Sequence, residues 1–200
     1  METEIINSKD ENAVISAVNI LKKGGLIIYP TETCYGIGAD ATNLRAVRKL
    51  IRLKGRESGK FVPIIISDTK MAEKYLVLND DIRKLMKKFM PGPLTLVAKK
   101  EKMKTRRLLG GFRIPFNRFA INLVKRFGKP VTATSANITG NKPIYRISKI
   151  KKVFLGKVDL IIDAGNLPKR QPSTVFDVNS RKVLRKGKIS RKEIFGVLGD

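Results

Sequence analysis

Between Lys22 and Asp40 the chain changes character several times in quick succession, and that stretch limits the folds open to it. Gly24-Gly25 ends a helical pattern, Leu26–Tyr29 is an apolar run, and Pro30 is expected to take the chain out of strand pairing. Thr31, Glu32 and Thr33 then deliver two hydroxyls and a carboxylate. A polar turn at the end of a buried strand is where α/β proteins build sites.

The rest of the chain repeats this alternation. Glu4 to Asn7 reads as a first strand. Asp10 to Lys23 puts Ala13, Val14, Ala17, Val18, Ile20 and Leu21 on one helical stripe. Asn43 is an N-cap for a helix whose inner face is Leu44, Val47, Leu50 and Ile51, ending at Lys54-Gly55-Arg56. Val62 to Ile66 is β-branched and continuous, as a central strand should be. A helix from Asn79-Asp80 to Phe89 is broken by Pro91-Gly92-Pro93 before a strand from Leu94 to Ala98. Asn117 opens a helix that Gly128 closes. Val131 to Thr134 and Val158 to Asp163 are short strands, Thr174 to Val178 with Lys182 to Arg185 forms a hairpin, and Ser190 starts a last helix. Strands alternating with helices predict an α/β domain with a mixed sheet, and no repeat or linker divides it.

Composition excludes whole classes of chemistry. The 200 residues contain no histidine and a single cysteine, Cys34, so His-based triads, His-ligated zinc and disulfide frameworks are out, and Cys34 is expected to be a packing residue. No apolar run is long enough to span a bilayer, and Met1-Glu2-Thr3-Glu4 carries acid where a signal peptide needs base, so the expected location is cytoplasmic. Lys and Arg number 42 against 17 Asp and Glu. Residues 142–157 carry six basic side chains and no acid, 181–192 seven and none, and 99–107 six against one. Three such runs point to a polyanionic partner such as RNA.

Several motif matches dissolve on inspection. Gly36-x-Gly38-x-x-Ala41 sits too far beyond its strand for a dinucleotide fingerprint, and residues 55–61 lack Walker A spacing. Ser67-Asp68-Thr69-Lys70 and Ser135-Ala136-Asn137 mimic β-lactam enzymes without their Lys-Thr-Gly. Other clusters persist. Lys54, Arg56 and Lys60 are three cations at a helix exit, and Gly55 and Gly59 make a continuing helix unfavourable. Thr132 to Gly140 is a run of small hydroxyl and amide side chains after a strand, Ser173-Thr174 opens another, and Arg113 and Arg185 each stand beside a chain-turning residue. Arginine, lysine, serine and threonine with few carboxylates suit a phosphorylated substrate.

Pro30-Thr31-Glu32-Thr33-x-Tyr35-Gly36, Lys54-x-Arg56-x-x-x-Lys60, Pro91-Gly92-Pro93-x-Thr95, Arg113-x-Pro115, Ser135-Ala136-Asn137-x-Thr139-Gly140 and Ser173-Thr174-Val175 follow one another as in the YrdC-domain family. Over about residues 10–188 the chain resembles that family's short, single-domain threonylcarbamoyl-AMP synthases. The resemblance implies one YrdC-like domain over 1–200, a twisted mixed sheet with flanking helices, and conversion of L-threonine, bicarbonate and ATP to threonylcarbamoyl-adenylate and pyrophosphate for modification of tRNA adenosine 37. It implies catalytic roles for Lys54 and Arg56. Threonine would lie against Thr31, Thr33, Arg113, Ala133, Ser173 and Thr174, and ATP against Lys54, Arg56, Lys60, Ser135, Asn137 and Arg185. Mg2+ would accompany ATP, with no protein metal site, and a threonylcarbamoyl transferase complex would take the product. Glu57, Ile65 and Leu109 depart from the family pattern. Two other readings stay open: an RNA-binding protein of the same fold without catalysis, and a carbamoyl-adenylate-forming paralogue.

Overall fold

The computed structural model describes residues 2–55, 61–99 and 103–199. Eleven strands and seven helices alternate among them: β1 (Glu4–Asn7), α1 (Ala13–Lys22), β2 (Ile27–Pro30), β3 (Tyr35–Gly38), α2 (Leu44–Leu53), β4 (Val62–Ile65), α3 (Thr69–Tyr75), α4 (Asp80–Phe89), β5 (Leu94–Val97), β6 (Leu109–Arg113), α5 (Arg118–Phe127), β7 (Val131–Thr132), β8 (Thr134–Ser135), α6 (Ile147–Phe154), β9 (Leu160–Asp163), β10 (Thr174–Asp177), β11 (Lys182–Arg185) and α7 (Arg191–Leu198).

The strands form two mixed sheets where the sequence suggests one. The first has the order β1-β9-β2-β3-β8 and the second β11-β10-β5-β6-β4-β7. The expected strand at Val131–Thr134 is the seam between them. Val131 and Thr132 pair with Ile65 and Ile64 of the second sheet, whereas Thr134 and Ser135 pair with Ile37 and Gly36 of the first. Ala133 is the crossing point, its N–H donating to Pro63 O at 2.8 Å. Thr132 Oγ1 fastens the seam by accepting from Ala39 N–H and donating to Ile37 O, while Tyr29 Oη donates to Thr132 O.

Helix starts follow their caps. Asn43, Asn79 and Asn117 each accept first-turn backbone N–H groups, and Ser190 with Glu193 forms a capping box. Helices α1 and α5 pack on each other and on β2, while α4 packs on α7. The inner face of α2 is Ala46, Val47 and Leu50, with Leu44 exposed. Leu44 directly follows the cap, where the helix has only begun to turn toward the core.

Pro30 does not leave the sheet. It is the last residue of β2, opposite Tyr35, and the chain returns at once as β3. Proline is tolerated at a strand end because the ladder asks no further N–H of it there. The residues between the two strands form a tight hairpin turn, with Thr31 and Cys34 buried and Glu32 and Thr33 half-buried.

Candidate active site

The hairpin turn is closed by Thr31, whose N–H donates to Cys34 O at 3.1 Å and whose Oγ1 donates to the same oxygen at 2.6 Å. Thr31 Oγ1 also accepts from the Thr33 and Cys34 N–H groups and lies 3.1 Å from Thr33 Oγ1. Thr31 is thus largely spent on holding the turn, which leaves the half-buried Thr33 hydroxyl as the more available of the two. Cys34 is buried, as expected. Burial pushes its thiol above the ordinary value, opposed by the Thr33 hydroxyl and by the charges of Arg113 and Lys54.

Glu32, at the centre of the turn, reaches the second sheet. Its Oε1 lies 2.5 Å from Arg113 Nη1, with side chains only 9% and 8% exposed. Arg113 ends β6, where β4 and β5 flank it: Ile65 is its partner on one side, and the pairing of Leu96 with Phe112 brings Thr95 alongside it on the other. Gly111 permits that approach, since a Cβ there would stand 2.7 Å from Thr95 Cγ2 and 2.9 Å from Leu96 O.

Thr95 leads to the next group. Its Oγ1 is 2.8 Å from Ser173 Oγ, and Arg185 Nη2 donates to that hydroxyl at 2.9 Å while Nε and Nη2 donate to Ser173 O. Gly187 closes the same corner, because a Cβ there would fall 2.3 Å from Pro172 O and 2.4 Å from Thr174 N. Burial first, and the like charge of Arg113 second, hold the Arg185 guanidinium below its ordinary value. Arg185 is exposed at the rim of the region, and the repulsion it feels from the buried Arg113 favours an anion beside it. Thr174 turns away, exchanging hydrogen bonds with the Ile189 backbone.

Lys54 forms the opposite wall. It is the C-cap residue of α2 and is 2% exposed. Its Nζ donates to Ser135 O at 2.6 Å, Asn137 O at 3.0 Å and Asn137 Oδ1 at 2.9 Å. Ser135 Oγ donates to the same Asn137 Oδ1, Asn137 Nδ2 donates to Asn141 O, and Thr139 N–H donates to Lys54 O. The loop after β8 is therefore wrapped on the lysine. Thr139 Oγ1 is buried there without a hydrogen-bond partner.

Of the residues marked in the sequence, Thr31, Thr33, Lys54, Arg113, Ala133, Ser135, Asn137, Ser173 and Arg185 fall on segments that are linked through these contacts into one region where the two sheets meet. Arg56 and Lys60, with Glu57, lie outside the described residues. Sequence reasoning assigned no role to Glu32 or Thr95, and Tyr29, buried behind the turn with its phenol pushed up, was read only as core. The signal for Glu32 was present: it is the single acidic residue of the stretch from Pro30 to Gly38.

Among the described residues no group of three or more His, Cys, Asp or Glu side chains is arranged to hold a metal ion. Two surface hollows lie apart from this region, one of about 350 Å3 beside Asp68, Lys70 and Lys125, the other of about 300 Å3 between Ser8, Pro30 and Asn122. Neither gathers the hydroxyls and arginines described above.

Fold and site together define an α/β domain of the YrdC type, built around a cationic site whose Lys54 and Arg113 are buried. A family model described as telomere recombination, Sua5/YciO/YrdC, matches residues 19–187, and the chain belongs to that family. A Thiobacillus denitrificans protein named threonylcarbamoyl-AMP synthase is 34% identical over 171 residues, which is 82% of this chain and 90% of that protein. The crystal structure of Pyrococcus abyssi Sua5 complexed with L-threonine superposes with a TM-score of 0.89 at 30% identity. It is covered over 61% of its length by the whole of this chain. E. coli YciO superposes with a TM-score of 0.82 at 27% identity over 96% of this chain and 98% of its own.

Proposed function

We propose that the chain is a threonylcarbamoyl-AMP synthase, joining L-threonine, bicarbonate and ATP into L-threonylcarbamoyladenylate and pyrophosphate. The observation that carries this reading is the convergence of the Thr31–Cys34 turn, buried Arg113 and Lys54 and the Ser173 corner, with exposed Arg185 at its rim, on one positively charged region. The threonine ammonium loses a proton, and the free amine attacks carbon dioxide formed with water from protonated bicarbonate, releasing a second proton to solvent as the carbamate forms. A carbamate oxygen attacks the α-phosphorus of ATP, and the bond to pyrophosphate breaks. Neither step needs an imidazole or a covalent nucleophile; both need alignment and neutralised charge.

Arg113 and Arg185 suit the carboxylate of an amino acid and a phosphate respectively, and Ser173 and Thr33 the amino acid's remaining polar groups. Lys54 holds Ser135 and Asn137 in place and adds charge beside the nucleotide, with Arg56 and Lys60 assigned to the phosphates. Mg2+ would arrive with ATP, since among the described residues no group of three or more acidic side chains is arranged to hold it, and would supply charge neutralisation for the leaving pyrophosphate. The adenylate would pass to a transferase complex acting on tRNA adenosine 37. No helix among the described residues is long and apolar enough to cross a membrane, and the reading places the protein in the cytoplasm.

The test is pyrophosphate release from purified protein, expected only with threonine, bicarbonate and ATP together. Release with carbamoyl phosphate replacing threonine and bicarbonate favours the paralogue instead. A second reading has the protein binding RNA without catalysis. It draws on exposed Arg146, Lys149, Lys152, Lys186 and Lys188 in two of the basic runs. Steeply salt-dependent tRNA binding with no pyrophosphate release supports that alternative.

A further inference from the structure

Glu32 is a buried carboxylate with unused capacity. The contact with Arg113 lacks hydrogen-bond geometry, and among the described residues neither Oε1 nor Oε2 has a hydrogen-bond donor. A buried acceptor left in that state is costly unless a ligand supplies the donor. Beside it, Arg113 is itself buried, and among the described residues no acid other than Glu32 is paired with it. One small molecule complements both members of this pair: a zwitterion, with a carboxylate for Arg113 and an ammonium for the glutamate.

We propose that Glu32 binds the α-ammonium group of the amino-acid substrate and selects for a free amine there. This rests on the synthase reading and adds the group that recognises nitrogen. Arg113 and Glu32 form an ion pair of opposite polarity to an α-amino acid, so the substrate inserts charge against charge and the region keeps its net charge. A deaminated acid satisfies Arg113 and leaves Glu32 as it was. An amino-acid amide satisfies Glu32 and not Arg113.

Carboxylation then reverses the sign of the nitrogen substituent. The ammonium gives up one proton to solvent, the free amine adds to carbon dioxide with loss of a second proton, and the resulting anionic carbamate is repelled by Glu32 and attracted by the surrounding cations. The same residue that holds the amino acid on entry thus directs the carbamate away from the turn, toward the phosphates.

The experiment is equilibrium binding of L-threonine and of its deaminated analogue, 3-hydroxybutanoate, to wild-type protein and to Glu32→Gln, without ATP. Wild type is expected to prefer threonine by about tenfold or more, the usual scale for a hydrogen bond to a charged group. Glu32→Gln is expected to lose that preference, with the analogue bound as well as before or better. Glu32→Asp should restore part of it. An equal loss for both ligands in Glu32→Gln, or an unchanged preference, overturns the inference while leaving the function intact. Wild-type protein that binds no threonine overturns both.

Discussion

Arg113 Nη1 and Glu32 Oε1 meet at 2.5 Å although they belong to different sheets, Arg113 at the end of β6 and Glu32 in the turn from β2 to β3. Removing one partner leaves the other charged and buried. Arg113→Ala is expected to cost about 3–5 kcal/mol of stability, whereas replacing both residues with methionine should cost clearly less. Urea unfolding of the single and double variants measures this; equal losses in the two rule out a buried, coupled pair.

Lys54 stands between structure and chemistry. Lys54→Met removes three donors from Ser135 O, Asn137 O and Asn137 Oδ1 and leaves acceptors there short of partners. The expected outcome is a loss of about 2–4 kcal/mol, set by two or so orphaned acceptors, together with loss of pyrophosphate release. Hydrogen exchange over residues 135–141 should speed up while the central strand β4 stays protected. Unchanged exchange in the loop refutes the claim that the lysine holds it.

Gly187 tests whether the Arg185 corner is built by close packing. Gly187→Ala introduces a methyl group against the backbone of residues 172–174 and should cost about 1–3 kcal/mol by overpacking. Because Ser173 and Arg185 share that corner, the KM for substrate should rise as well. A variant with the wild-type unfolding midpoint and KM removes the argument.

Cys34 provides a pH test. Its folded thiol lies above the ordinary 9.0, so around that pH the unfolded chain releases its proton first. Stability therefore falls as pH rises through the unfolded thiol's value and levels off only beyond the folded one. Tyr35, pushed up to about 12 by burial, adds to the decline at higher pH. Cys34→Ala should flatten the first part of the curve between about pH 8 and 10. Native protein at pH 8 should also react with a thiol reagent far more slowly than unfolded protein. Equal labelling rates contradict the burial on which this rests.

What could be read from the residues alone depended on whether the controlling interaction was local. Asn43, Asn117 and Ser190 are caps whose acceptors act within one turn, so the helices they open were legible. Strand β3 was not, because Gly36 and Gly38 show no alternating side chains, and β6 was hidden by Gly110-Gly111 in the same way. In α6 the stripe of Ile147, Ile150 and Phe154 was lost among lysines that the eye assigns to a charged run. Helix α3 is only seven residues long and carries little periodicity. The motif residues of the site were visible, but the pairing of Glu32 with Arg113 and the enclosure of Lys54 depend on segments far apart in the chain, which no local pattern encodes.

The crossing at Ala133 bears on how the protein can respond to ligands. Since five consecutive residues knit both sheets, the two halves cannot hinge apart without tearing backbone pairing at the seam. A ligand too wide for the gap meets stiffness that no rotamer change can relieve. Drug-like molecules aimed at this region should therefore be judged by thickness before polarity.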